Sequence, residues 1–394
     1  MKRKGEKPNT AKLLTVIVFA CAIGALFLLM LFLPKKTGEL SPLEFRVLAD
    51  YPWRPDGTAL DSGKLAKNIF KGKFSEDVDS FLEDHFPARG FFIALDSYYL
   101  RLTGRNADQS VVKGKNGRLF DSASKPDMER LSENVDKIES FAAANGLETV
   151  YLIVPTSAAV VKDELPALSL EYHDDEIIAS IRERGLCAPD LIALLSGDDA
   201  GSLLYRTDHH WTMEGAYRCY EAACAELELT PVSRDAFTVE SYDFYGSYYR
   251  KAGLWSIKPD TLEIWRAPEL DSASVTLGFG PGAVTHTGVY DAEKLQKGEV
   301  DRYAAYLYSN NGLTIVEMPE GNGETLMILK DSFGNSIAPL FAMNYSRIIM
   351  VDTRYYKALL PFPSELVSEY GVTKLLVVLG TDSAASDIQT TYLN

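Results

Sequence analysis

Three spacings of apolar residues run along this chain, and each predicts a different kind of element. From Leu13 to Leu33 no side chain is charged and nearly all are apolar. At ~1.5 Å per residue such a run crosses a ~30 Å hydrocarbon layer, so it predicts a membrane-spanning helix. Helical spacing follows in Phe74-Ser75-Glu76-Asp77-Val78, with Ser75 as the expected N-cap and Val78 and Phe81 on one face. Asp84-His85-Phe86-Pro87 interrupts it, and a second helix continues to Leu102. Asp127–Ala144 is amphipathic and ends at Asn145-Gly146, where glycine can take the left-handed C-cap.

The third spacing is continuous. Thr149–Val154, Leu313–Met318, Thr325–Leu329, Arg347–Val351 and Lys374–Leu379 are short and mostly apolar at successive positions, as in strands buried on both faces of a parallel sheet. Helical segments lie between them: Asp174–Leu195, Glu214–Leu227 behind a Thr212 N-cap, Asn335–Ala342 and Pro363–Tyr370. The alternation predicts an α/β fold, a flavodoxin-like parallel sheet with helices on both faces. Asn116-Gly117 between Val111-Val112-Lys113 and Leu119-Phe120 predicts a hairpin.

Two stretches follow none of these patterns. Residues 34–72, with Pro42, Pro52 and Pro55, read as a stalk. Residues 232–297, rich in glycine and aromatics such as Tyr242, Phe244, Tyr245, Tyr248, Tyr249, Trp255 and Trp265, read as an insertion of loops and short strands. Aromatics of this kind can stack on sugar rings, but core packing is the commoner use. The expected organisation is a tail (1–12), an anchor (13–33), the stalk (34–72) and one large domain (73–394) carrying the insertion.

Charge adds an orientation. The first 36 residues hold seven basic side chains against Glu6, which leaves −21 of the formal −15 for the rest. Basic residues before the span predict a cytoplasmic N-terminus and an extracytoplasmic main domain. The apolar core is long for a cleaved signal, and Leu33-Pro34-Lys35-Lys36 is not a small-residue cleavage site, so an uncleaved anchor is expected. An acidic exterior repels phosphates and argues against nucleic acid as a partner. Beyond Cys21 in the span, only Cys187, Cys219 and Cys224 remain, too few for a disulfide framework, although one bridge is open to them.

The candidate chemistry centres on Arg206-Thr207-Asp208-His209-His210-Trp211-Thr212. In an extended or turning segment residues i and i+2 point the same way, so Asp208 and His210 share a face while His209 looks elsewhere in a supporting role. An aspartate that accepts from one ring nitrogen leaves the other free to take a proton. Trp211 is expected as a packing wall. A metal on Asp208, His209 and His210 is not expected, because adjacent histidines diverge and no distant His cluster completes a shell. No cofactor motif is present. The nucleophile candidate is Ser332, in Lys330-Asp331-Ser332-Phe333-Gly334, where a strand turns into a helix. The N–H groups of Phe333 and Gly334 are the expected receivers of an oxyanion, and an N-capping role for Ser332 is the structural alternative.

These residues also carry a resemblance. Asp-His-His-Trp, Asp84-His85-Phe86-Pro87-Ala88-Arg89, the Val112–Phe120 hairpin, Tyr245-Gly246-Ser247-Tyr248-Tyr249-Arg250-Lys251, Leu329–Ser336 and Val351-Asp352-Thr353-Arg354-Tyr355-Tyr356 together resemble the bacterial DHHW family. That family is similar to the SGNH-hydrolase-like proteins that O-acetylate alginate, of the AlgX/AlgJ type. The resemblance implies a Ser-His-Asp acyl-transfer site at Ser332, His210 and Asp208, with an oxyanion donor at Asn310 or Asn311. It further implies an envelope O-acetyltransferase acting on a polysaccharide, with a membrane-bound O-acyltransferase as acyl donor. A carbohydrate esterase with the same triad, and a non-catalytic polysaccharide-binding or assembly component, are the other classes.

Overall fold

The structure, a computed structural model, describes residues 10–39, 41, 47–54, 62–108 and 111–393. Two compact units divide it: Met1–Arg105 with Gly253–Trp255, and Asn106–Ala252 with Ser256–Asn394. The helices around Phe81 and Phe92 thus group with the N-terminal segment, where a boundary at residue 73 was expected.

In the first unit Thr10–Phe32 is one helix of 23 residues, long and apolar enough to cross a membrane. Ser62–Phe70 is a helix inside the expected stalk; Pro42 and Pro55 lie outside the described residues. Lys73–Asp84 begins two residues before Ser75, because Gly72 at φ 77 turns the chain straight out of the preceding helix. Ser75 therefore lies in the first turn and caps nothing. Arg89–Leu102 completes the unit.

The second unit opens on β1 (Ala107–Asp108), β2 (Val111–Lys113) and β3 (Leu119–Asp121), an antiparallel sheet. Asn116 and Gly117 sit at φ 54 and 77, and the Arg118 N–H donates to the Lys115 carbonyl at 2.9 Å. Both central residues are left-handed, which is the turn that Asn-Gly favours. The main sheet contains β4 (Glu148–Val154), β7 (Ser274–Leu277), β8 (Val284–Thr287), β9 (Leu313–Glu317), β10 (Thr325–Lys330), β11 (Arg347–Val351) and β12 (Lys374–Gly380), in the order β4-β12-β10-β11-β9-β7-β8. A separate hairpin pairs β5 (Thr238–Phe244) with β6 (Asp260–Arg266).

The apolar runs are continuous because both faces are covered. On β10, Leu326 and Ile328 face one core with the helices Met213–Glu226 and Phe333–Ala342, while Met327 and Leu329 face a second core under Met128–Asn145, Asp174–Glu183 and Pro363–Tyr370. The caps at Thr212 and Gly146 form as expected, Thr212 accepting from the Gly215 N–H and Gly146 taking φ 66, and Asp127, read as the first helical residue, is instead the N-cap and accepts from the Arg130 N–H.

The sheet is mixed, which corrects the expected all-parallel arrangement. β4, β12, β10 and β11 are parallel, but β9 runs antiparallel to β11, and β7 and β8 extend that edge in antiparallel fashion. Met318–Glu324, between β9 and β10, holds no crossover helix, and a link that short can only reverse the chain. The aromatic insertion therefore supplies two sheet strands, and its aromatics mostly pack inward, Trp265 being fully buried. All four cysteines are free thiols.

Candidate active site

The four parallel strands deliver their carboxyl ends to one place. Val154-Pro155-Thr156 after β4, Asp331-Ser332-Phe333 after β10, Arg354 after β11, and Gly380-Thr381-Asp382 at the end of β12 line a cavity of about 110 Å3, joined by His209 and Tyr248. This is the edge where α/β sheets hold ligands. Asp331 ties it together: its carboxylate accepts from the Phe333 N–H at 2.9 Å and the Gly380 N–H at 2.8 Å.

The Asp-His-His segment is a tight loop closed at its base by a bridge between Leu204 and Trp211. Its approach is pinned by Arg118, which is almost fully buried. The guanidinium donates to the carbonyls of Leu204 (3.1 Å), Tyr205 (2.9 Å) and Gly201 (2.8 Å) and pairs with Glu164. Thr207 is held from the other side, its N–H and hydroxyl both donating to Asp260 Oδ2 at 2.7 Å. Gly246 presses on the loop so closely that a Cβ there would lie 2.3 Å from the Asp208 Cβ, so no larger residue fits without moving Asp208. The Ser247 N–H donates to Asp208 Oδ2 at 2.7 Å. The β5–β6 hairpin and the helix Ser247–Ala252 thus brace the loop, a role that an apparently irregular insertion did not advertise.

Within this frame Asp208 Oδ1 lies 2.5 Å from His210 Nδ1, and His210 Nε2 lies 2.7 Å from Ser332 Oγ. An ionised carboxylate only accepts, so Nδ1 carries the proton and Nε2 presents its lone pair to the serine hydroxyl. Ser332 occupies the N-cap position of Phe333–Ala342, yet its side chain makes no capping bond; its hydroxyl is spent on His210. Tyr303 stacks on the His210 ring at 3.8 Å and 12° and donates to the Ser332 carbonyl at 3.3 Å. Nothing local in the sequence marked Tyr303. Its signal is only an aromatic before the Ser309-Asn310-Asn311-Gly312 segment.

Burial raises the Asp208 carboxyl, but the imidazoles of His209 and His210 and the Ser247 N–H outweigh it and hold the group well below the carboxylate range. His210 is pushed down to about 4, first by burial and then by His209, against the pull of Asp208. The neutral form, which can accept a proton, therefore persists well below the usual imidazole range. The acid limb of any His210-dependent rate is expected below pH 6.5, and His209→Gln, by removing one depressing neighbour, is expected to move it upward. A kcat/KM–pH profile checks this; a limb that stays put or moves down contradicts it.

His209 departs from expectation. Its ring does not diverge but sits 3.8 Å from that of His210 and lines the Ser332 cavity, with Nδ1 3.1 Å from Ser247 Oγ. The i to i+1 divergence belongs to extended chain, and this loop is turned. Trp211 is a buried wall, edge-on to Phe333 at 5.3 Å, and also donates to Ser336 Oγ at 2.8 Å. The nominated oxyanion donors are both engaged: the Phe333 N–H by Asp331 Oδ1, and the Gly334 N–H by the Asp331 carbonyl at 3.2 Å. Gly334 is needed for a different reason, since a Cβ would meet Lys330 Cβ at 2.5 Å.

The two asparagines separate. Asn311 Nδ2 donates to the carbonyls of Tyr308 and Ser309, whereas Asn310 Oδ1 accepts from Lys330 Nζ at 3.2 Å and Asn335 Nδ2 at 2.9 Å. The Asn310 amide thus turns its NH2 end away from that buried network. Just before it, Leu307, Tyr308 and Ser309 take φ of 49, 59 and 73, three successive non-glycine residues in the left-handed region. Such strain persists only where the surroundings impose it, and it gathers at functional loops. Asp208, His209 and His210 also bring ligand atoms within 4.8 Å of one another. The 2.5 Å contact between Asp208 and His210 is nevertheless a hydrogen bond, shorter than the spacing of two ligands about one cation.

A serine, a histidine and an aspartate stand in hydrogen-bonded sequence at the carboxyl ends of the parallel strands of a mixed α/β sheet. The sequence profile of the DHHW protein family matches residues 135–351, more than half of the chain, and the chain belongs to that family. It is 28% identical over 177 residues to the protein named Probable alginate O-acetylase AlgJ of Pseudomonas aeruginosa, an alignment covering 41% of this chain and 44% of that protein. The chain thus spans less than half the length of that relative. Two solved structures share the fold. A DHHW family protein from Eubacterium siraeum superposes with a TM-score of 0.60 at 20% identity, covering 73% of this chain and 95% of that one. PatB1 of Bacillus cereus gives 0.59 at 16%, covering 71% and 98%.

Proposed function

We propose that this protein is a membrane-anchored O-acetyltransferase of the cell envelope that moves an acetyl group onto polysaccharide hydroxyls. The observation that carries the reading is the continuous hydrogen-bond chain from Asp208 through His210 to Ser332, at 2.5 and 2.7 Å. Ser332 Oγ attacks the acyl carbonyl while His210 Nε2 takes its proton and delivers it to the leaving group, so that an acetyl-serine forms. A sugar hydroxyl then gives its proton to His210 and attacks the acetyl carbonyl, and Ser332 Oγ recovers the proton as it leaves. Asp208 orients the ring and stabilises its cationic form.

Asn310 Nδ2 and the Ser332 backbone N–H are the proposed oxyanion donors, in place of the engaged Phe333 and Gly334 groups. The Ser332 N–H makes no hydrogen bond among the described residues. The helix Thr10–Phe32 serves as the anchor, with the N-terminal tail in the cytoplasm and the site outside. Soluble acyl-CoA is absent there, so a membrane-bound O-acyltransferase supplies the acetyl group. The AlgJ relative, named as an alginate O-acetylase, supports transfer to a polysaccharide over simple hydrolysis.

Full-length protein in detergent is expected to cleave an aryl acetate, and with an added oligosaccharide to yield a product heavier by one acetyl group in mass spectrometry. Cleavage without an acetylated sugar for any acceptor would favour the esterase. Absence of both would leave a binding or assembly role.

A further inference from the structure

A second, much larger cavity of about 490 Å3 adjoins the one that holds Ser332. The two share Thr156, Thr381 and Asp382 on their linings, so a chain lying in the larger one sits directly beside the cavity of the nucleophile. Its position fits an acceptor strand, and its charge says which kind. Asp121, Asp127, Asp174 and Asp382 line it. Asp174 is held in place: it is buried, and it accepts from the Thr156 N–H at 2.6 Å, the Thr156 hydroxyl at 3.0 Å and the Thr381 hydroxyl at 2.7 Å. Of the basic groups on the lining, Lys125 is exposed and His173 is turned to Glu176 at 2.9 Å.

We propose, on the acyl-transfer reading above, that this cavity binds the acceptor glycan and selects strands without carboxylates, holding most tightly those that carry free amino groups. Negative walls repel a polyuronate and attract an ammonium, and field lines concentrate in a cleft bounded by protein. The Asp382 carboxyl reports the same field, raised to about 6 by the protein crowded around it and by Asp174 and Asp121. The Arg354 guanidinium, on the lining of the nucleophile cavity, is tied back by two of its nitrogens to the Asp352 carboxylate at 2.9 and 2.7 Å.

The test is calorimetric binding to the full-length Ser332→Ala protein in detergent, which cannot turn over. Three hexasaccharides are compared: a chitosan hexamer, a neutral glucan hexamer and an oligogalacturonate. The chitosan hexamer is expected to bind at least about tenfold more tightly than the oligogalacturonate, with the glucan between them. The double change Asp121→Asn with Asp382→Asn is expected to shrink that ratio, as is a rise in salt. An oligogalacturonate that binds as well as the chitosan hexamer, or no binding by any of the three, overturns the inference. Aryl acetate cleavage by the unsubstituted protein is measured alongside. Its absence removes the acyl-transfer reading, whereas a reversed sugar preference with cleavage intact removes only the assignment of the acceptor.

Discussion

Ser332→Ala is expected to lower aryl acetate cleavage by roughly four orders of magnitude or more while leaving the fold intact. The activity should go because, among the described residues, the hydroxyl that His210 Nε2 bonds is that of Ser332, at 2.7 Å. The fold should stay because, among the described residues, that hydroxyl caps no helix and bonds only the imidazole. Melting temperature, followed by circular dichroism, should change little. His210→Ala should cost about as much, and the double variant little more than either alone, since the groups act as a unit. Rates in Ser332→Ala equal to those of the unsubstituted protein would end the catalytic reading.

The second large effect concerns stability. Arg118→Met removes the guanidinium that three carbonyls and Glu164 surround, and leaves the buried Leu204 and Tyr205 carbonyls without that donor. Breaking a buried charged network from one side costs ~3–5 kcal/mol, which in a unit of this size lowers the melting temperature by roughly 10 °C. Arg118→Lys should recover only part of it, because an ammonium cannot reproduce the planar fork. Leu204 and Tyr205 lead directly into the Asp-His-His loop, so kcat should fall in the same variants. A melting temperature within a degree or two of the parent would show that the loop is held some other way.

Much of the fold was legible because it rests on short-range periodicity. The strands at Thr149, Thr325, Arg347 and Lys374 announced themselves as apolar runs, and the caps at Thr212 and Gly146 follow from their own chemistry. Strand direction was not legible, since β9 is as apolar as its parallel neighbours and only the short link after it forces the reversal. Ser75 failed as a cap for a comparable reason: a glycine turn three residues earlier had already started the helix.

The chain alone nominated Asp208, His210 and Ser332, because an i, i+2 pair of acid and imidazole and a serine between strand and helix are local patterns. It equally nominated a spanning helix and an acidic exterior, which depend on composition and not on contacts. Tertiary structure alone brought Ser332 to His210 across 122 positions, folded His209 back over its neighbour, occupied the Phe333 and Gly334 amides with Asp331, and stacked Tyr303 on the imidazole. Each of these is a contact between segments far apart along the backbone, and no periodicity within either segment encodes where the other will lie.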